Sequence, residues 1–516
     1  MDINNIPKEK FRLANDADRL TDKKFATKPI GYFRDAMRRF AKNKSSVVAA
    51  IIIAILLLFA IIVPFVSPYD VTMRDGYYKM VLPKSTVFSF LGWDGCGNQK
   101  ETQAGYDYWN SVGYEYGNSA VKKVNSSFTE ETTGVKYYNL YVDSYERVGF
   151  VFADLHKDEY EALMAYQDEN NIQVLYPIPA TYKTQFVALT SSANVWYELA
   201  DESETSSGAA KEHDAEGNPI YKANYLTHTN PERGGYTSKM RIAGDDGTHG
   251  ENGDGWYVYA VKNQTGYRVR VLYKEYYKYK NGHYASFIFG TNQHGQDIFV
   301  SLASGARLSF ILAFSVSIIN FMIGVVYGSV SGYYGGVVDL VMERITDILS
   351  AIPWIVVATL FNMHLSKIVG PFIALIFAFI TTGWIGIASR VRTQFYRFKN
   401  HEYILAARTL GASDKRLIFR HILPNSLGTI ITGTVLIIPG VIFSESMLSY
   451  LGIINLETTG MTSVGTLLSQ GQAYLSNFPH IIVFPAVFIS LLEISFNLFG
   501  NGLRDAFNPS LRGVDE

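Results

Sequence analysis

Two carboxylates of this chain lie in stretches that are otherwise apolar. Glu445 follows Ser444 in VIFSESMLSYLG (441–452), and Glu493 lies in SLLEISFNLFGNGLRDA (490–506). An ionised side chain is costly at bilayer depth, so each must face another subunit, a water-filled path or a cation. Ser444, Glu445 and Glu493 are therefore candidates for a translocation path, or for a subunit contact that fixes register. Catalysis finds no comparable residues. No Ser-His-Asp set, catalytic carboxylate pair or HExxH stands out, and GxxxxGK[ST] is absent, so no phosphate-cradling loop for ATP hydrolysis is present. His294 and Asp297 are too few ligands for a metal. The only cysteine, Cys96, excludes an intrachain disulfide and a cysteine-rich zinc site, and reads as a free thiol.

A different pattern marks 401–426, HEYILAARTLGASDKRLIFRHILPNS, which is too basic and polar to span a bilayer yet has helical periodicity. Ile404, Ala407, Leu410 and Gly411 recur at helix spacing, as do Leu417, Ile418 and Ile422. Gly411 can end one helix, and Ser413 or Asp414 can cap the next. Pro424 should stop that second helix before the next apolar segment. The small pair Ala406 and Ala407 allows another protein to approach closely. A short helix-turn-helix of this kind suits a lever better than a catalyst.

The elements that must hold these residues are membrane helices. Nearly half of the 516 residues are apolar, but they fall in two places, 46–66 and 305–500. Residues 70–290 are polar, Gly-rich and rich in tyrosine. A formal charge of −1 gives no signal for nucleic acid. The uncharged run 46–66 is long enough to cross about 30 Å of hydrocarbon. A long tail precedes it and no cleavage site follows, so it reads as an uncleaved first span rather than a signal peptide. Further spans are expected at 308–330, 348–361, 368–387, 427–448 and 480–499, six in all. Arg38, Arg39, Lys42 and Lys44 precede the first span. Arg390, Arg392, Arg397, Lys399, Arg408, Lys415, Arg416 and Arg420 crowd 388–420, whereas 451–479 holds no Lys or Arg. The positive-inside rule then puts both termini and 401–426 in the cytoplasm and the large polar region outside.

The run AARTLGASDKRLIFRHILPN resembles the "EAA" loop of ATP-binding-cassette importer permeases, most closely that of the dipeptide and oligopeptide branch. Three further stretches are similar to that family's signatures: GTNQHGQD with GARLS at 290–309, SGYYGG with Asp339, Met342, Arg344, Asp347 and Pro353, and NGLRDAFNPSLR near the end. Asn292 and Gln296 depart from the usual Asp and Arg, and Leu405 stands where a glutamate usually precedes the two alanines. Glycines in the first signature permit tight turns, and Asp297 can cap the helix that follows. Beside Asp339, the helix spacing makes Asp339–Glu343 repulsive and Arg344–Asp347 attractive.

The resemblance implies a mainly α fold, a six-transmembrane-helix ABC importer permease core with an inserted extracellular α+β domain. It implies that 401–424 docks on an ATPase subunit, with Glu402, Ala406, Ala407, Gly411, Ala412, Ser413, Asp414 and Pro424 at or beside the contact. The expected partners are a second permease, two cytoplasmic ATP-binding subunits, an extracellular peptide-binding protein and membrane lipid. ATP and Mg would be bound by the ATPases, and no cofactor by this chain. A passing peptide amine is one cation that Glu445 could meet. The expected organisation is a cytoplasmic tail (1–45), the first span (46–66), an extracellular region (67–304), the five-helix core (305–500) and a cytoplasmic tail (501–516). The expected function is oligopeptide import across a prokaryotic cell membrane by alternating access. Import of dipeptides or nickel is an alternative, as is a membrane-anchored receptor or sensor, though an anchor has no need of an ATPase dock.

The outer region reads as an insertion at about 95–286 into a short loop. Lys136–Asp143 and 148–152 look like strands, 158–170 an amphipathic helix, and 172–176 another strand. Residues 255–261 and 267–273 flank a hairpin turn at 262–266, while 201–255 should be mostly loop. Tyr257, Tyr259, Tyr267, Tyr273, Tyr276, Tyr277 and Tyr279 read as sheet packing ahead of a peptide-contacting face.

Overall fold

The structure, a computed structural model, describes residues 32–178, 256–456 and 460–507, with short pieces between 180 and 228. The loop expected at 201–255 and the basic residues after 507 lie almost wholly outside the described residues. Five described helices are long and apolar enough to cross a membrane: Lys44–Val66, Ile298–Tyr334, Pro371–Phe398, Asp414–Tyr450 and His480–Phe507. A sixth crossing results if Gly336–Ser350 and Trp354–His364, bent by 72°, form one span. The span expected at 348–361 falls on that bend. Pro353 has no N–H to continue the ladder and disfavours helical geometry at Ile352, so the chain turns there.

The first span begins at Asn43, whose side chain accepts from Ser46 N at 3.3 Å. Along it Ser46, Ala49, Ile53, Leu56 and Ala60 are buried at alternating spacings of three and four. Val48, Ile51, Ile55, Leu58 and Ile62 are exposed, an uncharged surface suited to lipid. The buried stripe packs against His480–Phe507 and Ile298–Tyr334. Ser46 Oγ donates to Leu498 O at 3.3 Å, and a Cβ at Gly502 would lie 2.0 Å from that hydroxyl.

Ile298–Tyr334 is 37 residues long, about 55 Å at 1.5 Å per residue, so it extends beyond the hydrocarbon. Asp297 caps it as expected, accepting from Phe299 N at 2.9 Å. Gly324, Gly328 and Gly332, one turn apart, meet Pro371–Phe398, which is the fourth span, with Asp414–Tyr450 the fifth, when the bent pair is counted as one. Added Cβ atoms there would stand 2.7 Å from Ile387 Cβ, 2.3 Å from Ala388 O and 2.7 Å from Phe395 Cβ. Small residues at four-residue spacing let two backbones touch, which replaces the hydrophobic drive that lipid removes.

Among the described residues the polar region forms two larger antiparallel sheets besides three two-stranded pairs. One orders Cys96–Thr102, Lys136–Asp143 and Val121–Thr129 with the second of these in the centre. In the other, Tyr267–Leu272 lies between Ala260–Lys262 and Phe150–Leu155 and also pairs with Leu175–Tyr176. The expected hairpin is present, its turn held by Asn263 Oδ1, which accepts from Gly266 N at 2.7 Å and Thr265 N at 3.1 Å. The helix expected at 158–170 is Lys157–Asn170. The chain becomes helical again at Tyr273–Asn281, so Tyr273, Tyr276, Tyr277 and Tyr279 are helix rather than strand residues. Tyr257, Tyr259, Tyr273 and Tyr277 are buried, and the other three pack against the same core. Cys96 is free, and half-burial with Asp143 and Asp94 nearby pushes its thiol up to about 12.

The two ends of this region run side by side. Lys84 N donates to Phe287 O at 2.9 Å, Thr291 N to Val81 O at 3.0 Å and Met80 N to Asn292 O at 3.1 Å. Side chains add to the join: Tyr273 OH donates to Asp75 Oδ2 at 2.6 Å, and Leu82 N to Ser144 Oγ at 3.0 Å. The sheets are thus rooted in the loops over the helices. Inside the region, Arg270 is fully buried and makes a bidentate pair with Glu115, 2.7 and 2.6 Å, over the Phe150 ring. Its Nε donates to Ala193 O at 2.6 Å.

Candidate functional site at the inner loop and the buried carboxylates

The 401–426 stretch folds into Glu402–Thr409, a tight turn, and the start of Asp414–Tyr450. Gly411 has φ +82°, the left-handed conformation that glycine adopts freely, and Ala412 N returns to Ala407 O at 3.1 Å. Ser413 holds the N-cap position in extended backbone, but its side chain makes no capping bond. Ile404 is fully buried among Phe395, Leu417, Ile418 and Ile422, with Ala407 and Ala412 packed beside them.

Leu410 does not join that inward face. It follows the last helical residue, the turn at Gly411 sends it outward, and it is 89% exposed. Glu402, Leu405, Ala406 and Thr409 are exposed at helix spacing with Leu410 just beyond them, leaving a half-apolar face without a partner among the described residues. Pro424 is likewise not a stop. The preceding turn, Leu417–Ile422, is π-helical, and Leu423 N donates five residues back to Ile418 O. The widened turn relieves the proline clash, and side chains take carbonyls of that turn. Asn425 Nδ2 donates to His421 O at 2.9 Å and Ser426 Oγ to Ile422 O at 3.1 Å.

Of two residues that the sequence reading missed, one ties this loop to the second span and the other ties two neighbouring helices together. Tyr333, at the end of the second span, donates to Asp414 Oδ1 at 2.5 Å and receives Arg408 Nη2 at 3.3 Å. Arg392, from the fourth span, grips buried Asp339 through Nε and Nη2, each at 2.6 Å, and reaches Glu343 at 3.2 Å. Ser331 and Tyr396 also donate to Asp339. The expected repulsion between Asp339 and Glu343 is thus relieved by a cation 53 positions away from Asp339. Arg344–Asp347 pairs as expected, at 3.0 Å. The signal for Arg392 lay in the basic run 388–420, read there only as a topological charge. Asp339→Ala should lower stability by about 2–3 kcal/mol, because a half-buried guanidinium loses its bidentate partner, keeping only Glu343, and the Tyr396 phenol loses its acceptor. Thermal unfolding in nanodiscs would measure this.

Glu445 is fully buried within this chain. Its carboxylate accepts from Ser463 Oγ at 2.6 Å, Ser449 Oγ at 3.0 Å and Ser309 Oγ at 3.3 Å. Ser463 also caps Val464–Gln472 by accepting from Thr466 N at 3.1 Å. Glu445 therefore knits the second span, the fifth span and the short helix Val464–Gln472, rather than presenting a charge to an open path. Ser444 is half-buried, and Glu493 is half-buried with no ion pair among the described residues. The structure does not bring Glu493 and Glu445 into one site. No group of three or more His, Cys, Asp or Glu able to hold a metal occurs among the described residues.

Residues 31–83 match a family described as the N-terminal TM domain of oligopeptide transport permease C. Residues 324–513 match one described as the binding-protein-dependent transport system inner membrane component. The oligopeptide transport system permease protein OppC of Bacillus subtilis is 43% identical over 224 residues, 43% of this chain and 72% of that protein. This chain belongs to the oligopeptide and dipeptide ABC transporter permeases. The dipeptide permease DppC of B. subtilis is 41% identical, over 43% of this chain and 69% of its own length. OppC of Haemophilus influenzae is 40% identical, over 43% and 70%. A solved inward-facing MetNI methionine ABC transporter covers 39% of this chain and 95% of its own at 16% identity and TM-score 0.31, a likeness too weak to bear on the fold. As a permease subunit the chain is a transporter component and not an enzyme, and membership implies a complex with other permease, ATPase and substrate-binding subunits.

Proposed function

We propose that this permease imports oligopeptides by alternating access, driven by two cytoplasmic ATPases that bind ATP and Mg. The observation that carries the reading is the exposed face of Glu402, Leu405, Ala406, Thr409 and Leu410, held by Ile404 and by the Tyr333–Asp414 bond. In this reading 401–424 is the coupling loop. Closure of the ATPases pushes it, and Tyr333 and Asp414 pass the push to the second and fifth spans. The clamp of Arg392 on Asp339 would make Gly336–Ser350 and the fourth span move together.

The charge pattern supports a cytoplasmic location for both termini and for this loop, with 67–304 outside. A second permease would complete the path, Ser444 and Glu493 being this chain's candidates for facing it. A peptide-binding protein would deliver cargo at the outer face. Relatives named for oligopeptide and for dipeptide transport both match, and the oligopeptide reading is preferred because residues 31–83 match an oligopeptide permease family. The test is reconstitution with a second permease, two ATPases and the binding protein in proteoliposomes. Peptide uptake that requires ATP and this chain is expected; ATP-independent binding at the outer region alone would favour a receptor.

A further inference from the structure

At the outer end of the helices a cavity of about 790 Å³ opens between the loop after the first span, the second span and 460–462. Its polar lining is Arg74, Arg307, Gln296, Ser304 and the two threonines Thr72 and Thr462; its apolar lining includes Leu308, Ile311 and Met461. Among the described residues no carboxylate lines it. Among the described residues neither guanidinium has an ion-pair partner, and the nearby Asp70 carboxylate is occupied by Thr72 N and Oγ1. Arg307 is half-buried, its guanidinium carbon 5.5 Å from the Phe65 ring centroid. Ser304 Oγ is buried and has no hydrogen-bond partner among the described residues. Gln296 braces the site by donating to Val71 O at 3.1 Å.

A partly desolvated guanidinium without an anion is unfavourable, and its planar fork fits a carboxylate with two parallel bonds. The hydroxyls of Thr72, Ser304 and Thr462 suit peptide amides, and the apolar wall suits a side chain. The walls at 71–74 and 460–462 lie outside the membrane-crossing helices. We infer that this cavity binds the C-terminal carboxylate of an incoming peptide, held by Arg307 and Arg74, before the peptide enters the path. The inference rests on the import reading above.

The test compares uptake of one peptide with a free C-terminal carboxylate and the same peptide C-terminally amidated. The complete complex is used in proteoliposomes of neutral lipid and of lipid containing phosphatidylglycerol. Wild type should prefer the free carboxylate. Arg307→Gln and Arg74→Gln should each cut that preference about tenfold, the loss of one charge-assisted contact, and leave amidated-peptide uptake unchanged. Arg307→Lys should restore part of it. Arg74 is exposed, so its variant tests the site even if Arg307→Gln misfolds. The inference is overturned if wild type does not discriminate or if the variants keep the wild-type ratio. It is also overturned if their defect follows anionic lipid content equally for both peptides, which would assign the cavity to a lipid phosphate. In each of those cases ATP-driven uptake of both peptides leaves the import function standing.

Discussion

Leu410→Glu is expected to abolish peptide uptake while the chain still inserts and folds. Leu410 is 89% exposed and touches no core, so a charge there costs the isolated chain almost nothing. Docked in a partner groove, the same carboxylate would be desolvated with nothing to pair with it. Loss of one central anchor of this kind is worth about 2 kcal/mol or more, at least a thirtyfold drop in affinity. The ATPases should then fail to co-purify, and uptake should fall to background. Lys367→Glu, a charge change on another loop, is the control expected to keep both.

The second large effect concerns residues 95–286. Arg270→Met should destabilise this region by about 3–5 kcal/mol, because it removes the bidentate cation from a carboxylate, Glu115, that stays buried. Proteolysis of the intact permease from its outer side would read this as earlier cleavage within 95–286. Combining Arg270→Met with Glu115→Leu should recover much of the loss, since an apolar pair of similar volume avoids the desolvation penalty. A double variant no better than the single one would mean that the Arg270 bonds to Ala193 O and Pro177 O dominate.

Much of this architecture was legible in the sequence because its signals are local. Uncharged runs mark the helices, Asp297 precedes the helix it caps, and Gly411 stands where only a left-handed turn reverses the chain. Features that depend on tertiary neighbours were not legible. Leu410 shares the spacing of Ile404 but falls one residue past the helix, so periodicity assigned it to the wrong face. Pro424 reads as a stop until the π-helical turn before it is seen. Glu445 reads as a charge in lipid, yet Ser309, Ser449 and Ser463 from three elements enclose it. The Asp339–Arg392 clamp joins helices far apart in sequence, and nothing near Asp339 announces it. The 401–426 stretch was thus legible as a helix-turn-helix, whereas the bonds that tie it to its neighbours emerged only with the fold.

The most direct test of the coupling claim is a cross-link from the inner loop. Ala406 is exposed on the face left without a partner, and the only native thiol, Cys96, is half-buried and pushed up to about 12, so it should react poorly with thiol reagents. In a Cys96→Ser background, Ala406→Cys should form a short thiol-directed cross-link to an ATPase subunit in the assembled complex, with a yield that changes when ATP is added. A complex that transports peptide yet gives no such adduct, with or without ATP, would contradict the account.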